Sequence, residues 1–457
     1  MISKTVGVEE VFDTGVSSYQ IGVCVLCFLV TLLDGLDLTV VGVAIPKITD
    51  FLHTKPGAFG IAMSASSVGA VIGSVVLGMA ADRFGRKWML SVSAFIFGLF
   101  TLLTVWITGV GELTLFRFIA GLGLGGAIPN ALAYGSEYAP SSLRKTFVTT
   151  MFAGMPVGAM LGGLIGAWFI PRFGWPSLFV LGGGIPILIS FVTAAVLPES
   201  LEFLVQKGKD KVRIRHIVAK IAPTLAKNEE VEFRSTQKKL PGAPLKNLFT
   251  ERRALMTILF WIVLVGGGYL ASTLSSWAPT LLHKSGASVV QYSLAFAAYN
   301  FGSIVAFILV GRLLDMSDSF IILPVGFVLG FASLVGFGWV AGSSLLVVAC
   351  LSVACGFFIN GSQTGTLGLA TVSYPTSVRG AAVGSAYAAA RVGTIIAPLA
   401  GGHLLNLGWS VARICSTSAL AALVSAVFLL ALRGRVAAAA RYQAEQTTLF
   451  SGTNRLR

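Results

Sequence analysis

Long apolar runs separated by short polar connections fill most of this chain. They fall near residues 20–48, 58–80, 88–109, 112–137, 145–170 and 175–197, then near 254–280, 289–313, 319–341, 344–372, 380–405 and 409–432. A helix needs about 20 mainly apolar residues to cross a bilayer. Lipid offers a backbone no hydrogen-bond partner, so each run is forced into a helix that satisfies its own amides. The expected fold is therefore an all-α membrane protein with twelve transmembrane helices. Composition agrees: 55% of the 457 residues are hydrophobic and 11% charged, against about 25% charged in soluble domains. An ordinary soluble enzyme is excluded. The 53 glycines and 16 prolines fit helices that approach one another closely in lipid.

A net charge of +14 would point to nucleic acid in a soluble protein. Here the basic residues gather in alternate connections: Arg83, Arg86 and Lys87; Arg144 and Lys145; the long central stretch; Arg379; and Arg433, Arg435 and Arg441. That asymmetry places both termini in the cytoplasm, with anionic lipid headgroups as the partners of the excess charge. All five cysteines lie in apolar segments, and Cys24 and Cys27 have no second pair or histidine near them in sequence. They read as small buried side chains rather than a metal or redox site. The first residues are acidic (Glu9, Glu10, Asp13), unlike a cleaved signal, so the first span is expected to be retained.

A polar stretch, 198–253, divides the chain into an N-terminal six-helix bundle, 1–197, and a C-terminal one, 254–433, with a cytoplasmic tail at 434–457. The halves repeat. Gly78-Met-Ala-Ala-Asp82 follows the second span and Gly311-Arg-Leu-Leu-Asp315 the eighth; Tyr138-Ala-Pro140 with Arg144 follows the fourth and Tyr374-Pro375 with Arg379 the tenth. Such correspondence argues for two six-helix pseudo-repeats with a site between them near the bilayer midplane.

The costliest residues are Asp34 and Asp37, in the middle of the first apolar run. A carboxylate at the centre of a span costs about 2.5–3.5 kcal/mol on insertion scales, and residues three apart share a helix face. Intramembrane carboxylates face the interior and mark ion or substrate paths. Burial disfavours the charged form and a nearby cation favours it, so such a group can load and release a proton. The structural alternative is a helix cap or a permanent ion pair with an arginine.

Gly78-Met-Ala-Ala-Asp82-Arg83-Phe84-Gly85-Arg86-Lys87 resembles the G-x-x-x-D-R-x-G-R-[RK] loop of the major facilitator superfamily. In physical terms Gly78 permits close helix approach, Asp82 can cap a neighbouring helix, and the cations hold the cytoplasmic side. The resemblance covers nearly the whole chain and implies the major facilitator fold, with this loop stabilising the outward-open state. Asp34-Gly-Leu-Asp37 in turn looks like the D-G-[FY]-D of the aromatic acid:proton symporters. So do Arg117-Phe-Ile-Ala-Gly121-Leu-Gly123-Leu-Gly125-Gly126-Ala-Ile-Pro129-Asn130, the run Ser136 to Pro140, and Arg391-Val-Gly393 with Pro398, Gly401 and Gly402. Leu36 departs from the pattern, where the family has an aromatic residue. The resemblance implies that both acids of the motif, Asp34 and Asp37, are needed for proton-coupled transport.

Arg391 lies about a dozen residues into the eleventh span, roughly 18 Å along a helix. Its fork matches a carboxylate with two hydrogen bonds. It is read as a substrate ligand, with a fixed bridge to Asp34 or Asp37 as the alternative. Asp37, Asn130, Tyr299, Asn300, Gln363 and Tyr387 join it as substrate-site candidates, and Tyr269, Trp277 and Asn360 as further polar or aromatic cavity residues. Arg117, near the outer end of the fourth span, is open between structural pairing and proton relay. Gly78, Asp82, Arg83, Gly85, Arg86, Arg117, Glu137, Arg144, Glu199 and Asp315 form the gating set. Within it Glu137 and Glu199 are expected to pair with the Arg83/Arg86 cluster when the cytoplasmic side closes. His283 and His403 read as solvated surface residues.

The function these readings imply is import of a small aromatic carboxylate with protons by alternating access. The proton is the coupling ion, no cofactor is called for, and a monomer in a bacterial inner membrane suffices. Proton-antiport efflux of drugs or metabolites is the competing reading. Gly154-Met-Pro156-Val-Gly158-Ala-Met-Leu-Gly162-Gly163 in the fifth span is a displaced form of the antiporter motif. No metal-ligand constellation, phosphate loop or nucleophile–base pair in the sequence supports an enzyme; a sensor built on a transporter fold is a further alternative.

Overall fold

A computed structural model describes residues 5–453 apart from 14, 209–210, 223–231, 235–244, 251–252 and 375. Among the described residues twelve helices are long and apolar enough to cross a bilayer. In the first half these are α1 (Ser18–Leu52), α2 (Phe59–Phe84), α3 (Arg86–Leu103), α4 (Val110–Tyr138), α5 (Arg144–Phe173) and α6 (Pro176–Val196). In the second half they are α7 (Ala254–Lys284), α8 (Val289–Met316), α9 (Ser319–Trp339), α10 (Leu345–Ser373), α11 (Thr376–Asn406) and α12 (Val411–Thr453). The last continues well into the region read from sequence as a tail. Mean hydropathy is lowest in α11, at 1.2, and α4, at 1.3, against 2.4 in α9. Those two helices carry Arg391 and Arg117, a first sign that their polar residues are kept for something other than lipid contact.

Local chemistry sets the helix ends. Ser17 opens α1 with a reciprocal cap: its Oγ accepts from the Gln20 backbone amide at 3.2 Å, and the Gln20 side-chain Oε1 accepts from the Ser17 backbone amide at 2.8 Å. The Gln20 side-chain amide then donates to the carbonyls of Phe12, at 3.2 Å, and Tyr138, at 2.9 Å. Between α2 and α3 the chain turns at Gly85, whose φ of +102° needs a residue without Cβ.

The chain divides into two compact units, Met1–Leu240 with Val289–Ala297, and Pro241–Ser288 with Ala298–Arg457. In the first, α1 packs on α5, α2 on α4 and α3 on α6. Backbones meet directly at these crossings. The carbonyls of Phe118 and Leu122 stand where Gly69 and Gly73 would carry a Cβ, and those of Ser66 and Ala70 do the same at Gly121 and Gly125. In the second unit α7 packs on α11 and α9 on α12. Gly268 meets the Ala390 carbonyl, Gly393 that of Val265, and Gly356 of α10 that of Tyr299 on α8. The same pairing in both units is the packing counterpart of the sequence repeat.

At the end of the first unit that carries the Arg83–Lys87 loop, the polar stretch folds into short elements. Helices Leu201–Gln206 and Lys211–Ile221 bury Leu201, Leu204, Ile214, Ile217, Val218 and Ile221 against Val8, Val11 and Phe12 of the N-terminal segment. A short parallel pair, β1 (Thr5–Gly7) and β2 (Glu232–Arg234), joins the two chain segments. It is the one strand pairing among the described residues.

Candidate functional site

The Asp34–Asp37 segment sits where α1 and α5 approach most closely. The carbonyl of Met155 occupies the position a Cβ on Gly35 would need. Thr31 and Thr39 flank it, their hydroxyls donating across to the carbonyls of Met151, at 2.5 Å, and Ala159, at 2.9 Å. Gly154, Gly158 and Gly162 of α5 complete the seam against Thr31, Leu32 and Thr39. The glycine series that looked like a displaced antiporter motif is thus taken up in holding α1.

This seam presents Asp37 to α3 and α4. Arg117 donates from Nη1 to both carboxylate oxygens, at 2.9 and 3.1 Å, and from Nη2 to the Thr101 hydroxyl at 2.7 Å. Thr101 donates in turn to Asp37 Oδ1 at 3.0 Å. The result is a closed hydrogen-bonded ring of three side chains from α1, α3 and α4. Asp37 and Arg117 are each 1% exposed and Thr101 not at all. The Phe179 ring of α6 lies 6.0 Å from the guanidinium carbon, and Arg117 Nε has no acceptor among the described residues. Asp34 is buried one turn earlier, and Leu36 is buried between the two acids.

Asp37 therefore has its guanidinium from Arg117, whereas sequence reasoning offered Arg391 for that place and treated Arg117 as secondary. Thr101 was not foreseen; a threonine in an apolar span carries no signal of its own. Depth is also revised. Thr101 is close to the end of the span Arg86–Trp106, roughly 8 Å from it at 1.5 Å per residue. The ring thus lies toward the end of the unit away from the Arg83–Lys87 loop rather than at its middle.

At the loop end a second polar cluster forms. Arg86 pairs with Glu137 at 2.9 Å, and Ser200 donates to the other Glu137 oxygen at 2.5 Å. Glu199 was expected to pair with the arginines as well, but its carboxylate accepts from the backbone amides of Lys87, at 3.2 Å, and Ser200, at 3.0 Å. It thereby caps the N-terminus of α3, where an anion is favoured. A Cβ on Gly85 would run into this carboxylate. Tyr138 and Tyr134 hold the strand of chain behind it through the carbonyls of Glu199, at 3.1 Å, and Pro198, at 2.8 Å. Arg83 is exposed, 5.5 Å from the Phe84 ring. Asp82 is also exposed, and Arg144 reaches Glu9 at 3.7 Å. Gly78 has open space around it, so close helix approach is not its role here. The Asp315 side chain lies outside the described residues.

In the second unit, Arg391 is half-buried on α11 and Tyr387, one turn away, is 44% exposed. A π turn at Gly356–Asn360 breaks the regularity of α10, a device that re-aims side chains and recurs at functional positions. It directs the Asn360 amide to donate to Tyr299 Oη and Ser303 Oγ of α8, both at 2.8 Å. Tyr299 and Asn300 are buried. Gln363 packs against Gly267 of α7, Tyr269 meets Ser418 at 3.2 Å, and Trp277 is buried against Gly401. Asn130, back in the first unit, donates to the Gly126 carbonyl of its own helix at 2.8 Å. His283 contacts the Ala287 carbonyl at 3.4 Å, and His403 is exposed.

A profile of the Major Facilitator Superfamily matches residues 27–384 and again 281–453. The chain belongs to that superfamily. The 4-hydroxybenzoate transporter PcaK of Pseudomonas aeruginosa is 36% identical over 422 residues, covering 91% of this chain and 93% of its own. A gallate transporter of Pseudomonas putida is 33% identical, with 91% and 92% covered. These relatives agree with the resemblance to the aromatic acid:proton symporters carried by Asp34-Gly-Leu-Asp37. Among solved structures, a D-xylose-proton symporter superposes with a TM-score of 0.72 at 18% identity, covering 90% of this chain and 97% of that one, which establishes the fold. The protein is a multi-pass membrane transporter of this superfamily, not an enzyme.

Proposed function

We propose that this protein imports a small aromatic carboxylate together with protons by alternating access of its two halves. The observation that carries the reading is the Asp37–Arg117 pair, a carboxylate and a guanidinium withdrawn from water inside a helix bundle. A buried ion pair is weak evidence for stability, and intramembrane ionisable groups mark ion paths. Asp37 takes and releases the coupling proton, Arg117 balances its charge, and Asp34 serves the same path. Arg391 receives the substrate carboxylate, and the Asn360–Tyr299–Ser303 cluster belongs to the polar lining for the ring substituents. Arg86, Glu137 and Glu199 hold the loop end of the first unit as one of the gates. The protein works as a monomer in a bacterial inner membrane, its termini cytoplasmic and without a cofactor. The names of the relatives support a hydroxylated benzoate as cargo.

Efflux gains no separate support, because the α5 glycines are engaged with α1. Purified protein in liposomes, given an inside-alkaline gradient and radiolabelled 4-hydroxybenzoate or gallate, tests the proposal. Accumulation above equilibrium of at least one acid is expected; gradient-driven export, or no transport of any aromatic acid, overturns it.

A further inference from the structure

We propose that Thr101 is a positioning residue for proton loading, resting on the reading of Asp37 as the proton carrier. A free arginine–carboxylate pair closes as a two-armed fork, each nitrogen on its own oxygen. Here one nitrogen serves both oxygens of Asp37 and the other is turned away to the Thr101 hydroxyl, at 2.7 Å. A hydroxyl both donates and accepts, and Thr101 uses the two capacities at once, since it donates to Asp37 Oδ1 at 3.0 Å. One arm of the guanidinium is therefore anchored by a group that does not titrate.

That matters when Asp37 becomes neutral. A cation left in a dry site without its counter-charge is heavily penalised, and Thr101 keeps Arg117 satisfied and in place through the step. It also stays bonded to Asp37, because a protonated carboxyl retains an oxygen able to accept. Asp37 faces Arg117 from α4 and Thr101 from α3, and the guanidinium in turn lies 6.0 Å from the Phe179 ring of α6. On α5, Met155 and Ala159 lie against Gly35 and Thr39, the residues two before and two after Asp37, and Asp34 is one turn back on α1. With valine at 101 the freed nitrogen turns to the carboxylate and completes the fork. The carboxylate then trades the Thr101 bond, which a neutral carboxyl keeps, for a guanidinium bond that protonation breaks, and loading calls for more acid.

The test is the pH profile of 4-hydroxybenzoate uptake in proteoliposomes by wild type, Thr101→Val and Thr101→Ser. Thr101→Val moves the midpoint about one unit toward acid, a tenfold change in proton demand, and Thr101→Ser restores it. A uniform loss at every pH, an unmoved midpoint or a shift toward alkali in a valine variant that elutes as folded protein overturns the inference. If the valine variant does not fold, Thr101→Cys, of similar size but a weak donor, replaces it with the same expected shift. A wild type showing no dependence on the proton gradient overturns the coupled reading itself, and this role with it.

Discussion

Removing Arg117 should unfold this protein far more readily than its single position suggests, and the loss should vanish when Asp37 is neutralised too. In Arg117→Gln the Asp37 carboxylate, 1% exposed, loses its counter-charge and, among the described residues, retains the Thr101 hydroxyl at 3.0 Å. Breaking a buried pair from one side costs about 3–5 kcal/mol, because the remaining charge is stranded. For a cooperative unit of about 200 residues this is a melting-temperature drop of roughly 6–20 °C. Asp37→Asn leaves Arg117 the Thr101 hydroxyl, at 2.7 Å, and a neutral amide oxygen as acceptors, so it should fall by less. The double variant strands nothing and should recover most of the loss, since a buried pair replaced on both sides is often close to neutral. Thermal melting of the four purified proteins in detergent, read as a double-mutant cycle, measures the coupling directly. Equal stability of Arg117→Gln and wild type would refute the reasoning, as would a double variant showing the sum of the two single losses.

Other outcomes follow from the same geometry. Gly35→Ala places a methyl on the Met155 carbonyl, and backbone cannot swing aside. The α1–α5 seam must open, so overpacking of at least about 1–3 kcal/mol is expected, read as a lower melting temperature and poorer yield; a fully stable alanine variant would mean that the helices do not cross this closely. Arg391→Lys replaces a fork with a point charge and should weaken aromatic-acid binding about tenfold in calorimetry while leaving the melting temperature of the free protein near that of wild type. Unchanged affinity would place the carboxylate elsewhere.

The spans were legible because length and hydropathy are properties of a continuous segment, and lipid leaves a helix little alternative. Arg86 and Glu137 were legible as a pair because both stand at helix ends beside basic connections, Arg83–Lys87 and Arg144–Lys145, that the charge pattern puts on the same side. The partner of Asp37 was not. Sequence ranks candidates by depth, and depth was counted along the chain. Yet α1 is 35 residues long, about 52 Å of helix against about 30 Å of hydrocarbon. Counting along such a helix misplaces its acids by more than a turn. Thr101 and the direction of Glu199 were hidden for another reason. Each acts through a hydrogen bond made possible by a neighbouring backbone crossing or turn, at Gly35 and Gly85, and such contacts have no trace in periodicity or charge. The role of Gly78 was misjudged because a glycine in a motif signals permitted approach, not an approach that is made.

Proton movement itself is the most direct measure of the central claim. Liposomes holding the protein and a trapped pH-sensitive dye, with no gradient imposed, are given 4-hydroxybenzoate, with protein-free liposomes correcting for passive entry of the acid. The wild type should acidify the interior as substrate enters, and Asp37→Asn, judged folded by its elution profile, should not. Substrate entry without acidification in the wild type, or undiminished acidification in Asp37→Asn, would contradict the account.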